Sequence, residues 1–372
     1  MIAALRRRHA AGLIACAAVA LAGCTSVSDD AQNSSLEALA TQAPTPLDYV
    51  PGPPEKPRSC AQPFDSLPPS AVPPPGRMPI RSYMQRIRER GMLIVGVDQN
   101  TLRLGYFNPR TEEMEGFDID LVRAVARAIF GASEGHIVFK AISTAQRESV
   151  IEFEEVDIVA SAFSITCKRL QNMYFSSVYY RAQQKLLVLE DSTDDSLSDL
   201  RGEEVCATKS STSIENLEGT GVVRHPVELR PDCLVELQEG RVAAITGDDS
   251  ILFGFKEQDP QTKIVGSCIN VERYGMAINR RRPEFVRFVN GVLEQLGSAG
   301  LERIRRRWLN GLTVATSDEI AQCDGRASRR SARHAAARLR RDRRAMELRK
   351  RWRRHLNALM IADILECGGR CA

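Results

Sequence analysis

The stretch VDIVASAFSITCKR, Val156–Arg169, decides how the rest of the chain is read. Its first half, Asp157–Ser161, is a short apolar run opened by a carboxylate, the pattern of a buried strand. Its second half, Phe163–Arg169, brings Ser164, Thr166 and Arg169 out beside that strand and leads into a basic, helix-like KRLQNM. Two hydroxyls and a guanidinium at the end of a strand suit an anion, because the planar fork of arginine matches a carboxylate in a way that lysine cannot. The plainer account of the same residues is a surface arginine with Thr166 capping a helix.

Outward from this stretch the segments alternate. Arg81–Arg90 (RSYMQRIRER) reads as a short amphipathic helix stopped by Gly91, and Met92–Val97 as a buried strand. Gly116–Phe130 reads as helix, Ile137–Ala141 as strand, Arg147–Glu154 as helix and Asp157–Ala160 as strand. Such alternation predicts an α/β body with a mainly parallel sheet. A chain of 372 residues with 43% hydrophobic content can build one large or two medium cores.

The first residues stand outside that body. MIAALRRRHAAGLIACAAVALAGC has three arginines, an apolar run of signal-peptide length and small residues before Cys24. LAGC (Leu21–Cys24) matches the lipobox of bacterial lipoproteins, so residues 1–23 are expected to be a signal peptide and Cys24 the lipidated residue; an ordinary cleaved signal is the alternative. Proline density from Ala43 to Pro79 forbids packed helix or central strand, which makes residues 24–80 a lipidated, Pro-rich tether. No other segment is long and apolar enough to span a bilayer. The expected location is extracytoplasmic, lipid-anchored to the outer face of the cell membrane.

Export also favours oxidised thiols. Of ten cysteines, Cys16 leaves with the signal and Cys24 takes lipid, and the even remainder suits disulfides. No C-x-x-C pair is present and the sulfurs are scattered, so no metal site is expected.

Seven segments then share one order: LIVGVD (Leu93–Asp98), EGFDIDLVRAVA (Glu115–Ala126), Val156–Arg169 itself, YFSSVYYRAQQKLLV (Tyr174–Val188), VCATKSSTS (Val205–Ser213), RVAAITGDDSIL (Arg241–Leu252) and YGMAIN (Tyr274–Asn279). On these residues the run from Leu93 to about Gly311 resembles the family 3 extracytoplasmic solute-binding proteins, the polar amino-acid receptors of ABC transporters. Within that family it is most similar to the glutamine/glutamate-binding lipoproteins of mycobacteria and other actinobacteria. The resemblance implies a two-lobed, periplasmic-binding-protein-like (type II) α/β fold, with crossover strands near Arg181–Lys185 and Val271–Tyr274. Lobe 1 would comprise residues 81–183 and 273–312, and lobe 2 residues 184–272.

The resemblance also implies a ligand set. Arg169 falls where the family binds an α-carboxylate, and Ser164 and Thr166 where it places paired hydroxyls. Thr212, with Ser213 beside it, resembles the turn that completes this cradle. Asp248 falls at the ammonium-binding aspartate, after a strand expected over Val242–Ile245, with Asp249 the competing choice. Arg147 matches the arginine that faces a distal carboxylate, which points to glutamate or aspartate and leaves glutamine or asparagine open. Asp98 resembles a cleft-lining position able to receive an amide or a lysine-like group. The family often has glycine where this chain has Ala162. In the actinobacterial relatives a cysteine at Cys167 accompanies one at Cys60, and Cys206 with Cys233 forms a second candidate pair. Cys268 and Cys323 can also pair, as can Cys367 and Cys371, with nothing in the sequence to require either.

The implied partners are an L-amino acid and either the permease of an ABC transporter or a membrane sensor, with no cofactor and a monomeric state. An enzyme is not expected. A dehydratase-like derivative of this fold needs a general acid or base over the ligand, yet His136 and His225, the histidines of the body, fall on no ligand loop. Nucleophile elbow and phosphate-binding glycine loop are both missing. The last segment departs from the family: Arg326–Arg354 carries 14 Lys and Arg against two acids, whereas the whole chain is net +4. Residues 313–372 thus form a basic extension, either a helix for anionic lipid or a partner, or an unstructured tail. Without base-stacking aromatics, nucleic acid is not an expected partner.

Overall fold

Residues 64–313 and 315–326 are described in the computed structural model, together with Arg329, Arg340, Met346 and Glu347. The expectations for the signal segment, Cys24, Cys60, the first part of the tether and most of the basic extension lie outside the described residues.

The apolar run Leu93–Val97 (β1) is buried almost throughout, as a strand covered on both faces must be. It pairs in parallel with Ile137–Ala141 (β5) and Ile158–Val159 (β6). Ala277–Asn279 (β13) and Met173–Phe175 (β7) complete a sheet ordered β5-β1-β6-β13-β7. A second sheet holds Glu204–Thr208 (β9), Val223–Val227 (β10), Ala244–Asp248 (β11), Tyr180–Leu189 (β8) and Thr262–Tyr274 (β12), ordered β10-β9-β11-β8-β12. In each sheet one strand, β13 or β8, runs against the other four. A small antiparallel sheet of Asn100–Thr101 (β2), Gly105–Asn108 (β3) and Glu113–Glu115 (β4) follows β1.

Two long strands carry the chain between the sheets. β8 and β12 pair from Tyr180↔Tyr274 through Gln184↔Asn270, and Tyr274 also bridges to Ser164 beside the first sheet. The result is the two-lobed type II arrangement with two crossover strands.

Helices cover the sheets where their caps allow. Phe117–Phe130 starts at Gly116, whose φ is 130° and whose missing Cβ would lie 2.2 Å from the Leu104 carbonyl, so only glycine fits. Asp118 and Asp120 in its first turn suit the positive end of the helix dipole. Pro283–Trp308 packs on the same lobe. Along it runs part of the proline-rich segment: Leu67 and Met78 are buried, Ser70 N–H donates to the Arg287 carbonyl (2.9 Å) and Asn290 to the Leu67 carbonyl (2.6 Å). Prolines exclude helix and ladder there without excluding packing.

Three local expectations shift. KRLQNM forms only the 3₁₀ turn Arg169–Gln171, because β7 begins at Met173 and leaves room for a single turn. The helix expected over Arg147–Glu154 ends at Glu152, and the strand expected over Val242–Ile245 lies at Ala244–Asp248, which puts Asp248 at its end. Past the first lobe, residues 317–326 form a helix begun by a reciprocal cap: Thr316 N–H donates to Glu319 (2.7 Å) and Glu319 N–H to Thr316 Oγ1 (3.2 Å). Among the described residues no helix is long and apolar enough to cross a membrane.

Candidate functional site

The carboxyl ends of β9 and β11 and the residues that follow β6 line one cavity, where open α/β sheets place their ligands. The first lobe contributes Arg147, Ala162 and Ser164 to its lining, and the second Thr212, Arg230 and Asp248.

Arg147 opens the Arg147–Glu152 helix and is 3% exposed. Its Nε donates to the Thr144 carbonyl (3.0 Å) and its Nη1 to the carbonyls of Ser161 and Ala162 (both 3.2 Å). The guanidinium lies 4.3 Å from the Phe163 ring centroid. Among the described residues no carboxylate is within ion-pair distance of it. Burial, then the neighbouring guanidiniums of Arg169 and Arg230, push its pKa well below the ordinary arginine value. Carbonyl dipoles and a ring face hold this cation without cancelling its charge, so the cavity wall offers an anion site. The hydroxyls of Thr144 and Ser161, on residues whose carbonyls hold Arg147, are buried without a hydrogen-bond partner.

Asp248, 3% exposed, is the opposite pole. Its Oδ2 accepts the Tyr274 hydroxyl while Oδ1 is buried without a partner. Burial, with the nearby Glu272 charge, pushes this carboxyl up to about 8, against the lowering effect of the Tyr274 hydrogen bond. A buried carboxylate with a vacant oxygen fits a cationic donor. Asp249, the competing choice, begins the Asp249–Gln258 helix; its Oδ1 is likewise buried without a hydrogen-bond partner, and burial pushes its carboxyl up less far, to about 6.

Ala162 sits in the left-handed region at φ 45°, a conformation in which glycine is at ease. Its N–H donates to Asp118 Oδ2 (2.7 Å), which turns its carbonyl toward Arg147. The family's frequent glycine here therefore has a backbone reason.

The other expected residues divide. Ser164 lines the cavity, and so does Thr212, whose hydroxyl donates to Glu272 (2.9 Å). Arg169 and Thr166 line a neighbouring hollow with Glu148 and Ser210. Thr166 Oγ1 accepts the Arg169 N–H (3.3 Å), the capping role that the sequence already allowed. Arg169 donates to the Ser164 carbonyl (2.8 Å), across the cleft to the Ser210 carbonyl (3.0 Å), and to Glu148 (3.2 Å). Asp98 is taken up by the protein itself: Oδ2 accepts Arg230 (2.7 Å) and Oδ1 the Asn100 N–H (2.7 Å). Arg230 is the residue that sequence reasoning missed. Its one signal is its place before Pro231 at the start of a helix, Arg230–Gln238, on the same buried face as Cys233, Leu234 and Leu237.

Cys206 and Cys233 form a disulfide with Cα atoms 5.6 Å apart, and Cys268 and Cys323 another at 5.7 Å. Cys167 is disulfide-bonded. No cluster among the described residues could hold a metal ion.

Fold and site together define a two-lobed binding protein whose polar cleft holds a buried guanidinium and a buried carboxyl. The chain belongs to the bacterial extracellular solute-binding proteins, family 3, whose pattern matches residues 93–311. It is similar to the glutamine-binding protein of Geobacillus stearothermophilus, 33% identical over 196 residues that cover 52% of this chain and 74% of that one. The glutamate-binding protein of Corynebacterium efficiens is 29% identical over 227 residues, covering 57% of this chain and 76% of its own. Among solved structures, an ancestral arginine-binding protein bound to glutamine superposes with a TM-score of 0.54 at 27% identity, covering 59% of this chain and 98% of that one. The solute receptor for L-cysteine of Neisseria gonorrhoeae shares the fold with a TM-score of 0.59 at 17% identity, over 63% of this chain and 98% of its own.

Proposed function

We propose that the chain is the substrate-binding lipoprotein of an amino-acid ABC transporter, anchored through Cys24 outside the cell membrane. It captures an L-amino acid with an acidic or amide side chain, glutamate/aspartate or glutamine/asparagine, between lobes of residues 81–183 with 273–312 and 184–272. The observation that carries this reading is the pair of incompletely met groups on one cavity: the Arg147 guanidinium with no carboxylate within ion-pair distance, and the Asp248 carboxyl with a vacant oxygen that ionises against a cation. An amino acid with an acidic or amide side chain carries a complement of each: its ammonium for Asp248, its side-chain oxygens for Arg147. The glutamine- and glutamate-binding relatives support the same class.

In this reading the ligand ammonium meets Asp248, and Ser164 and Thr212 help to cradle the α-carboxylate. Arg169, beside Thr166, exchanges the Ser164 and Ser210 carbonyls for the α-carboxylate, while Arg147 faces the side chain. Calorimetric titration of the full-length chain with L-glutamate, L-aspartate, L-glutamine and L-asparagine tests it. One of these should bind. Arg147→Ala should lower affinity for the acidic ligands by about 10- to 150-fold, the equivalent of about 1.5–3 kcal/mol for a charged hydrogen bond, and that for the amides less. Arg169→Ala should weaken all four. Folded protein that binds none of them would sink the amino-acid assignment.

A further inference from the structure

Arg230 is 5% exposed and reaches from the second lobe into the first. One nitrogen donates to Asp98 Oδ2 at 2.7 Å and to the Thr101 hydroxyl at 3.0 Å, and another to the Ser161 carbonyl at 3.1 Å. A carboxylate, a hydroxyl and a carbonyl around one guanidinium are what a free arginine side chain would require of a binding pocket. With Asp98 Oδ1 accepting the Asn100 N–H, both of the carboxylate's oxygens are engaged.

The backbone under Arg230 is fixed from several sides. Pro231 sets the first helical turn, Asp232 accepts the Leu229 N–H at 3.0 Å, and Cys233 ties that turn to Cys206 of β9. The side chain therefore starts from a rigid point, and little entropy is lost in holding its fork across the cleft. Removing one partner would strand the other: Asp98 would be a buried carboxylate without its cation, a costly state that recruits any available cationic donor.

We propose that Arg230 is the specificity-determining residue that excludes cationic side chains. It occupies the Asp98 subsite as a built-in substitute for an arginine or lysine ligand and leaves room only for neutral or acidic side chains. The proposal rests on the amino-acid reading of the cleft. It makes Asp98 a partner of Arg230 in the closed form, in place of a direct contact to the ligand.

The test is calorimetric titration of the full-length chain, as wild type, Arg230→Ala, Arg230→Gln and the double variant Asp98→Asn/Arg230→Ala. Each is titrated with L-glutamate, L-glutamine, L-arginine and L-lysine, and circular dichroism reports folding. Wild type should bind glutamate or glutamine and bind arginine and lysine at least 100-fold more weakly. Arg230→Ala should gain at least tenfold in affinity for L-arginine. Arg230→Gln, which keeps a shorter, neutral amide donor in place of the guanidinium, should gain for L-lysine. The double variant should lose the gain. Folded Arg230 variants that bind glutamate or glutamine but gain nothing for the cationic ligands overturn the exclusion role and leave the amino-acid reading standing. Wild type that binds none of the four overturns both.

Discussion

Asp248 is where the chemistry of the cleft can be read by proton. With its carboxyl pushed up to about 8 by burial, it is mostly protonated in the ligand-free protein at neutral pH. An ammonium brought to its vacant oxygen favours the ionised form, so binding should release a proton into solvent. Affinity is expected to rise with pH, by up to about tenfold per unit below pH ~8 and to level off above it. Titration calorimetry in phosphate and in Tris should give different apparent enthalpies at pH 7, and equal ones for Asp248→Asn; equal enthalpies in the wild type would remove Asp248 from the ammonium role. The stability sign runs the opposite way. The folded carboxyl keeps its proton to higher pH than the unfolded one, so the ligand-free protein loses stability as pH rises from about 4 to about 8. Asp248→Asn should flatten that slope in thermal melts.

The Arg230–Gln238 helix shows how elements, rather than single residues, present the site. Cys206–Cys233 binds it to β9, and the same two elements frame the cavity through Thr208 and Arg230. Serine at both cysteines should cost about 2–4 kcal/mol in denaturant unfolding and weaken ligand affinity as well, since Arg230 then starts from a looser turn; unchanged stability under reducing and oxidising conditions would contradict this. Elements were legible in the sequence where local pattern dictated them. β1 and β5 are apolar runs bounded by turns, and the helix at Arg147 begins where the apolar spacing changes. Asp248 and Arg147 could be placed because motif order fixes them at strand and helix ends. Arg230 could not, because its partner lies 132 residues away and no local spacing connects the two. The diversion of Arg169 to the Ser164 and Ser210 carbonyls was hidden for a similar reason: it depends on how far the lobes are closed. Leu67 and Met78 escaped notice because proline content speaks to backbone hydrogen bonding and is silent about burial.

At the scale of the whole molecule, the cleft is governed by what joins the lobes. Contacts across it include Arg230 with Asp98, Arg169 with Ser210, and the more exposed pair Arg103 with Glu257 at 2.6 Å. The last is solvent-screened and contributes little. β8 and β12 are the covalent joints that any solute-binding protein of this fold has, but the chain adds another. After Trp308 and Leu309, which are buried in the first lobe's core, it continues into the 317–326 helix and is fastened by Cys323 to Cys268, in the irregular stretch of β12 between Val265 and Asn270. Asp324 pairs with Arg273 at the crossing itself, and Phe64 lies against the same guanidinium at 4.2 Å. This strap runs from the first lobe to the second beside the hinge, so it limits how far β12 can straighten as the cleft opens. Removing it should shift the ligand-free ensemble toward open forms and leave the ligand-bound form unchanged. Small-angle scattering of the wild type and of Cys268→Ser/Cys323→Ser, each with and without ligand, measures this directly. The variant should show a larger decrease in radius of gyration on binding, with equal ligand-bound values. Equal decreases would mean that the strap follows the hinge without restraining it, and that opening is set by β8, β12 and the cleft contacts alone.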